Sequence, residues 1–345
     1  MKSNVIKYSK SSKFYFETKE KFFLENSKHL KNAHALNKLY SEQPLRKSCK
    51  VCGAHLPTKV DFNSHGIGYV FCEECNHLNG RFDDTEKFTS DMYISEGGAN
   101  YAVNYVDENY KKRTSDIYTP KIDFFLNALS SNISSLLDVG CGGGYLVNAA
   151  LQRGVHAVGI DVSRHTVEYG NENIAKIHGK KPLTLVDEVE FYKKIIAFKG
   201  DAISAIGVIE HLRDPQKFFD AFKLSEATYL FYSVPMFSLS AILENIFKDI
   251  FPRQLSGGHT HLFTNASIEK MNLLCGAKVI SEWRFGTDIL DIYRSFAVSL
   301  KANKVSDVLM QEFENGFIGS IDKLQSTLDN THFCSEIHSV IMKSD

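Results

Sequence analysis

Apolar residues recur along this chain in two periods, and the switching between them marks an alternating array of strands and helices. Leu136 to Val139 is a short apolar run of the kind that forms a buried parallel strand, and Tyr145 to Gln152 then reads as a helix closed by Gly154. AVGID, ending at Asp161, is the next strand. Thr166 to His178 is helical, and Pro182 to Val186 is a further strand ending in Asp187. Asp201 to Val208 forms the fourth strand of the series, and Asp214-Pro215 opens a helix with Lys217 to Phe222 as its body. Ala227 to Val234 makes a fifth strand. Phe237, Leu239, Ile242, Leu243, Ile246, Phe247 and Ile250 recur near helical spacing, a stripe that reads as core or as a partly exposed wall over a pocket. Strands alternating with helices predict an α/β fold built on a parallel sheet.

The 345 residues are enough for one large domain and a small one. Hydrophobic residues make up 43%, charged residues 23%, and the formal net charge is -1, so charge does not point to nucleic acid or an anionic membrane. The stretch to about Lys47 is locally basic, but its interleaved Phe14, Tyr15, Phe16, Phe22, Phe23 and Leu24 suggest docking helices. Met1 to Glu20 lacks the apolar core and cleavage site of a signal peptide, and the longest uncharged run, Ala227 to Leu243, falls short of a membrane span. Of seven cysteines, Cys141, Cys275 and Cys334 are scattered, which is unlike a secreted disulfide framework and fits a reducing cytoplasm.

The other four cysteines form two pairs, Cys49-x-x-Cys52 and Cys72-x-x-Cys75, each in a knuckle-like turn, CKVCG and CEECN. Four thiolates can close a tetrahedral shell around Zn2+ with no open position, which predicts a structural metal and a segment whose folding depends on it. A redox pair or a methyl-accepting thiolate is the competing reading, and a zinc ribbon can also recognise a partner. His55, His65 and His77 lie nearby and read as surface histidines.

Gly140, Gly142, Gly143 and Gly144 let the chain turn sharply beside a ligand. Dinucleotide-binding enzymes use a similar turn for a pyrophosphate. Here Asp138 stands two residues ahead, where a carboxylate would repel a pyrophosphate but hold the ammonium of a methionyl group, and Asp161 can accept both hydroxyls of a ribose. The pattern therefore predicts a site for S-adenosylmethionine, with a nicotinamide dinucleotide as the rival. Cys141, Val162, Ala205 and Ile206 belong to the same expected donor site, and Asp187 is a candidate for the adenine amine. His259 and His261, in HTHLFT, would point to one side of an extended chain, and with His211 they are the candidates for removing a proton. The alternatives are that a histidine positions the loop and that Thr264 merely caps the helix that follows.

The order of DVGCGGG, VGID, DAISAIGVIEHLRDP and HTHLFT resembles class I S-adenosylmethionine-dependent methyltransferases across roughly Lys121 to Asp345. With the four-cysteine segment in front, the chain is similar to the zinc-binding methyltransferases of sugar and polysaccharide biosynthesis. The resemblance implies a Rossmann-like seven-stranded sheet with helices on both faces and a reversed last strand, Ala277 to Trp283 and Ser335 to Met342 being the final two. It divides the chain into a helical extension (1–47), a zinc module (48–92), a helical lid or linker (93–130) and the methyltransferase domain (131–345), with an insert at about 236–258 near the acceptor site. Tyr101, Tyr105 and Tyr110 are similar to a segment that closes over the donor. Sugar C-methyltransferases carry a tyrosine and then histidine-glutamate-histidine where this chain reads Gly258-His259-Thr260-His261, which favours transfer to oxygen. The implied acceptor is a hydroxyl of a sugar, nucleotide sugar or polysaccharide intermediate. Sugar C-methylation, a non-catalytic scaffold and an RNA methyltransferase are the other readings.

Overall fold

The computed structural model describes residues 5–12, 25–93, 110–256 and 258–344. Its strands are β1 (Val5–Tyr8), β2 (Phe62–Ser64), β3 (Ile67–Phe71), β4 (Leu78–Gly80), β5 (Ser135–Val139) and β6 (His156–Asp161). They continue with β7 (Leu183–Leu185), β8 (Ala202–Ile206), β9 (Tyr229–Pro235), β10 (His261–Leu262), β11 (Ala277–Phe285) and β12 (Glu336–Lys343).

Eight of these form one sheet in the order β1-β11-β12-β9-β8-β5-β6-β7. Strands β5 to β9 run parallel, and β12 is antiparallel to both its neighbours. Leu136, Val139, Ala202, Ile203, Ala205, Leu230 and Phe231 are fully buried because helices cover both faces, which is why the strands read as continuous apolar runs rather than alternating ones. Each crossover helix starts and stops on local chemistry. Asp214 accepts from the backbone N–H groups of Gln216 and Lys217 at the head of helix Pro215–Leu224. Gly154, at φ +80°, follows helix Tyr145–Gln152. Thr264 caps helix Asn265–Cys275 in a reciprocal capping box with Ser267.

The eighth strand is a departure from the seven expected. β1 adds in parallel to the edge of β11, Val5 opposite Ser281 and Tyr8 opposite Arg284. Ser281 Oγ donates to the Val5 carbonyl (2.7 Å) and Trp283 Nε1 to the Ser9 carbonyl (2.9 Å). With Val5 53% and Ile6 38% exposed, β1 buries no face of its own and leaves no periodic signal. The extension expected to be helical thus holds a strand as well as the helix Asn26–Ser41, while Phe14 to Leu24 lie outside the described residues.

β10, β4, β3 and β2 form a second, antiparallel sheet, so HTHLFT contributes a strand to the four-cysteine module. The insert is the other half of this joint. Helix Leu239–Ile246 and the loop after it place Ala241 and Leu255 in a cluster with Ile67, Tyr69 and Leu78 of the module and Tyr40 of the helix Asn26–Ser41. Of the apolar stripe itself, Phe237 docks on Phe71 of the module (5.2 Å) and Phe247 meets Phe296 (6.3 Å), while Ile242 and Ile246 are exposed. Between β11 and β12, helices Asp288–Ala302, Asp307–Phe317 and Ile321–Asn330 pack through Tyr293 stacked on Phe313 (5.4 Å).

Candidate active site and four-cysteine centre

The glycine turn leaves β5 with Gly140, Gly142 and Gly144 at φ +64°, +51° and +67°. A Cβ on Gly140 would lie 2.6 Å from Val208 Cγ2, so this position excludes a side chain twice over. Asp161 Oδ2 accepts from the N–H of Gly142 (2.8 Å) and Oδ1 from that of Ser163 (2.8 Å), which fixes the turn from the end of β6. Tyr110 is buried behind it, donating to the Gly143 carbonyl (3.1 Å) and stacking on Tyr145 (4.6 Å), so it braces the turn. Tyr101 and Tyr105 lie outside the described residues.

In front of the turn is a cleft of about 400 Å³ at the C-terminal edge of the parallel strands. Of the residues expected to meet the donor, Asp138, Gly140, Cys141, Gly142 and Ile206 border it. Gly144, Asp161, Val162, Asp187 and Ala205 are not among its lining. Asp187 instead caps the helix Glu188–Ile196, its carboxylate accepting from Glu190 N (2.7 Å). Asp138 is buried and accepts from Ser204 Oγ (2.7 Å). Burial foremost, with Asp161 near by, pushes its carboxyl up to about 7. That position suits the donor proposed from sequence: a carboxylate hard to ionise alone gains from an ammonium beside it, and the glycine backbone leaves room for the rest.

The opposite wall is polar and comes from distant parts of the chain. Lys121, Glu210, Gln254, His259, Ser335 and Glu336 all border the cleft. Glu336 faces Pro235 in register, because the reversed β12 begins where β9 ends. Burial alone would raise the Glu336 carboxyl, but the His338 hydrogen bond (2.7 Å) and the Lys121 ammonium pull it well below the usual carboxylate range. At Glu210 burial outweighs a backbone hydrogen bond and the Lys121 ammonium, and pushes the carboxyl up to about 8. Three buried acceptor atoms on this wall, Glu210 Oε2, Gln254 Oε1 and His259 Nδ1, have no hydrogen-bond partner. Sequence reasoning missed Lys121, Gln254 and Glu336, since each reads as an ordinary polar residue; only the reversed last strand hinted at Glu336.

The three candidate histidines separate. His259 borders the cleft, and burial lowers its imidazole to about 4. His211 stacks against it with ring centres 5.3 Å apart, off the cleft lining, lowered to about 3 mainly by burial and by His259. His261 is fully buried with both nitrogens engaged, Nε2 on the Glu210 carbonyl (3.0 Å) and Nδ1 on His77 Nε2 (2.8 Å). It positions the loop, and its partner His77, expected at the surface, is fully buried too.

Cys49, Cys52, Cys72 and Cys75 converge, with Sγ separations of 3.6 Å for Cys49–Cys75 and 3.5 Å for Cys52–Cys72. All four sulfurs lie within 4.8 Å of one another. A ZnS4 tetrahedron with bonds of about 2.3 Å has edges of about 3.8 Å, so the donor set fits the ion. Each knuckle turns through a left-handed residue, Gly53 (φ +72°) and Asn76 (φ +56°), whose N–H donates to the first cysteine's carbonyl (2.9 and 2.8 Å).

Residues 110–282, half of the chain, match the sequence profile of a family described as a methyltransferase domain. A ubiquinone biosynthesis O-methyltransferase of Xylella fastidiosa (strain M23) is 30% identical over 105 residues, covering 29% of this chain and 41% of that protein. The same-named protein of Hahella chejuensis (strain KCTC 2396) is 30% identical over 112 residues, 31% of this chain and 45% of that one. The chain thus spans less than half the length of these relatives. The solved magnesium protoporphyrin IX methyltransferase from Synechocystis PCC 6803 with bound SAH shares 12% identity at a TM-score of 0.49, over 75% of this chain and all of that one. Among the described residues no helix is long and apolar enough to cross a membrane.

Proposed function

The chain belongs to the methyltransferase-domain family and is an S-adenosylmethionine-dependent methyltransferase, and from that premise we propose that it methylates a hydroxyl oxygen of a polar acceptor of the sugar or nucleotide-sugar class. When bound, S-adenosylmethionine supplies a methyl group already activated by its sulfonium. The residues proposed to hold it are Asp138 at the ammonium end, the Gly140 to Gly144 turn along its length and Asp161 at the ribose. Asp161 is held at the end of β6, beside the turn, by the N–H groups of Gly142 and Ser163.

The observation that carries the acceptor reading is the set of buried, unpartnered acceptor atoms, Glu210 Oε2, Gln254 Oε1 and His259 Nδ1, along one wall of the cleft. Unpaired buried acceptors are costly, and an acceptor bearing several hydroxyls satisfies them together. Such binding would orient one hydroxyl and exclude water while the proton leaves toward this wall. The O-methyltransferase names of the relatives support oxygen as the target. The four-cysteine module is proposed to hold a structural Zn2+ that fixes the adjoining loop.

Two measurements test the reading. Calorimetry with S-adenosylhomocysteine is expected to show one site, weakened at least tenfold by Asp161→Ala. Incubation with labelled donor and a panel of nucleotide sugars, free sugars and polyprenyl catechols is expected to label a sugar, with the new methyl carbon in the O-methyl region of the NMR spectrum. A carbon-linked methyl, or labelling of the catechol alone, overturns the acceptor class.

A further inference from the structure

At the acceptor side of the cleft the Glu210 carboxylate, His211 and His259 each bring a ligand atom to one place, all within 4.8 Å of one another. We propose that these three side chains form a second metal site, distinct from the four-cysteine centre, for a divalent cation of borderline character such as Mn2+, Fe2+ or Zn2+. The inference rests on the acceptor reading above and deepens it: the ion would take Glu210 Oε2 and His259 Nδ1, and an acceptor hydroxyl would reach them as a ligand of the ion, with Gln254 Oε1 left to bind a hydroxyl directly.

The geometry and chemistry of the cluster agree. Glu210 Oε1 is 3.9 Å from His211 Nε2, within the span of about 4.2 Å that two ligands about 2.1 Å from one ion can reach. Glu210 is buried and its Oε2 has no hydrogen-bond partner, as is true of His259 Nδ1. An isolated carboxyl in such a place is costly, whereas an ion gives both atoms a partner. Both imidazoles are kept neutral by burial, the form that ligates. Each ring is also tethered by backbone, His211 by Gly258 and His259 by Gln254, the second-sphere support that holds a ligating histidine in orientation.

Two nitrogens and one carboxylate select transition-metal ions over Mg2+ or Ca2+ and leave coordination positions open. Glu210 and His259 border the cleft while His211 stands behind them, so those positions face the cavity. A hydroxyl ligating there would be oriented and acidified, its proton passing to water. The thiolate shell of the other centre is closed and soft, so the two sites differ in the ions they prefer.

The test is an electron paramagnetic resonance titration of Mn2+ into the full chain after its cysteine centre has been loaded with one equivalent of Zn2+ and no excess, without donor or acceptor. One Mn2+ per chain is expected to lose the free-ion signal at submillimolar concentration. Glu210→Gln and His259→Ala should each weaken this at least tenfold, and Glu210→Asp less, with S-adenosylhomocysteine binding retained as proof of a folded cleft. Free Mn2+ at millimolar concentration with the unaltered chain, or equal affinity in the Gln and Ala variants, overturns the site. No acceptor is present, so a methyl group found on carbon would defeat the acceptor reading without altering this ion count.

Discussion

His77 Nε2 lies 2.8 Å from His261 Nδ1, a side-chain bond that reinforces the β10–β4 pairing between the four-cysteine module and the loop that carries His259. His261 Nε2 must donate to the Glu210 carbonyl, so its Nδ1 is the acceptor and His77 is the donor. His261 is neutral by this logic, and burial holds both rings well below the ordinary imidazole range. Replacing His77 by Ala would leave a buried acceptor and a cavity, a cost of about 2 to 4 kcal/mol in denaturant unfolding. His77→Gln, which keeps an N–H donor, should recover part of it.

The same burial sets an acid limit on stability. His211 and His259 are lowered to about 3 and 4, and His77 and His261 also lie below 6.5. Above pH 6.5 neither the folded nor the unfolded chain protonates these rings. As pH falls below 6.5 the unfolded chain takes up protons that the folded chain refuses, so stability declines toward pH 4. Unfolding midpoints in urea between pH 7 and 4 should fall accordingly, and His211→Gln should make the decline shallower.

Removal of zinc is expected to reach the cleft although no cysteine of the module borders it. Cys49, Val51, Cys72 and Cys75 pack in the same core cluster as Val139, Ile203 and Phe218 of the large sheet and its covering helix, so the module has no separate interior to fall back on. Metal analysis should find one Zn2+ per chain at the cysteines, and Cys72→Ser should abolish it with loss of cooperative unfolding. Full zinc release without a change in melting temperature would contradict this joint.

Glu244 makes a further fixed point. Its buried carboxylate accepts from the N–H groups of Gln254 (2.7 Å) and Leu255 (2.8 Å) as well as that of Arg253. These bonds shape the loop that places Gln254 in the cleft. Glu244→Ala should cost about 3 kcal/mol or more by leaving three backbone donors unpaired, and should raise the KM for the acceptor more than that for the donor.

Much of this was legible in the chain. The strand and helix alternation from Leu136 to Pro235 and the Asp214 cap follow from period and capping chemistry, the last two strands follow from the family resemblance, and the cysteine pairs fall together as their spacing predicts. What stayed hidden depended on distant pairing. β1 has no buried face, the contact of Phe237 with Phe71 joins residues far apart in the chain, and His261 looked catalytic because nothing local reveals His77 opposite it. Glu336 and Lys121 reach the cleft only through the reversed strand and the helix packed beside it. Residue type shows chemistry readily, but which of several histidines meets solvent is a tertiary fact.

Asp138 yields the most direct check on the donor end. Its folded carboxyl titrates near 7 because burial disfavours the charge, while the unfolded carboxyl titrates near 3.8. Between those values the folded chain holds a proton that the unfolded chain has lost, so this group makes the ligand-free protein less stable as pH rises from about 4 to 7. Asp138→Asn should therefore stabilise the ligand-free protein at pH 8, by an amount on the order of 1 to 3 kcal/mol. The same substitution should weaken S-adenosylhomocysteine strongly, because an ammonium is held by the ionised form. For the unaltered chain, affinity should climb up to about tenfold per pH unit below 7 and level off above it, with proton release seen as a buffer-dependent heat. The Asn variant should show neither the climb nor the heat. A flat profile in the unaltered chain would mean that another group receives the ammonium.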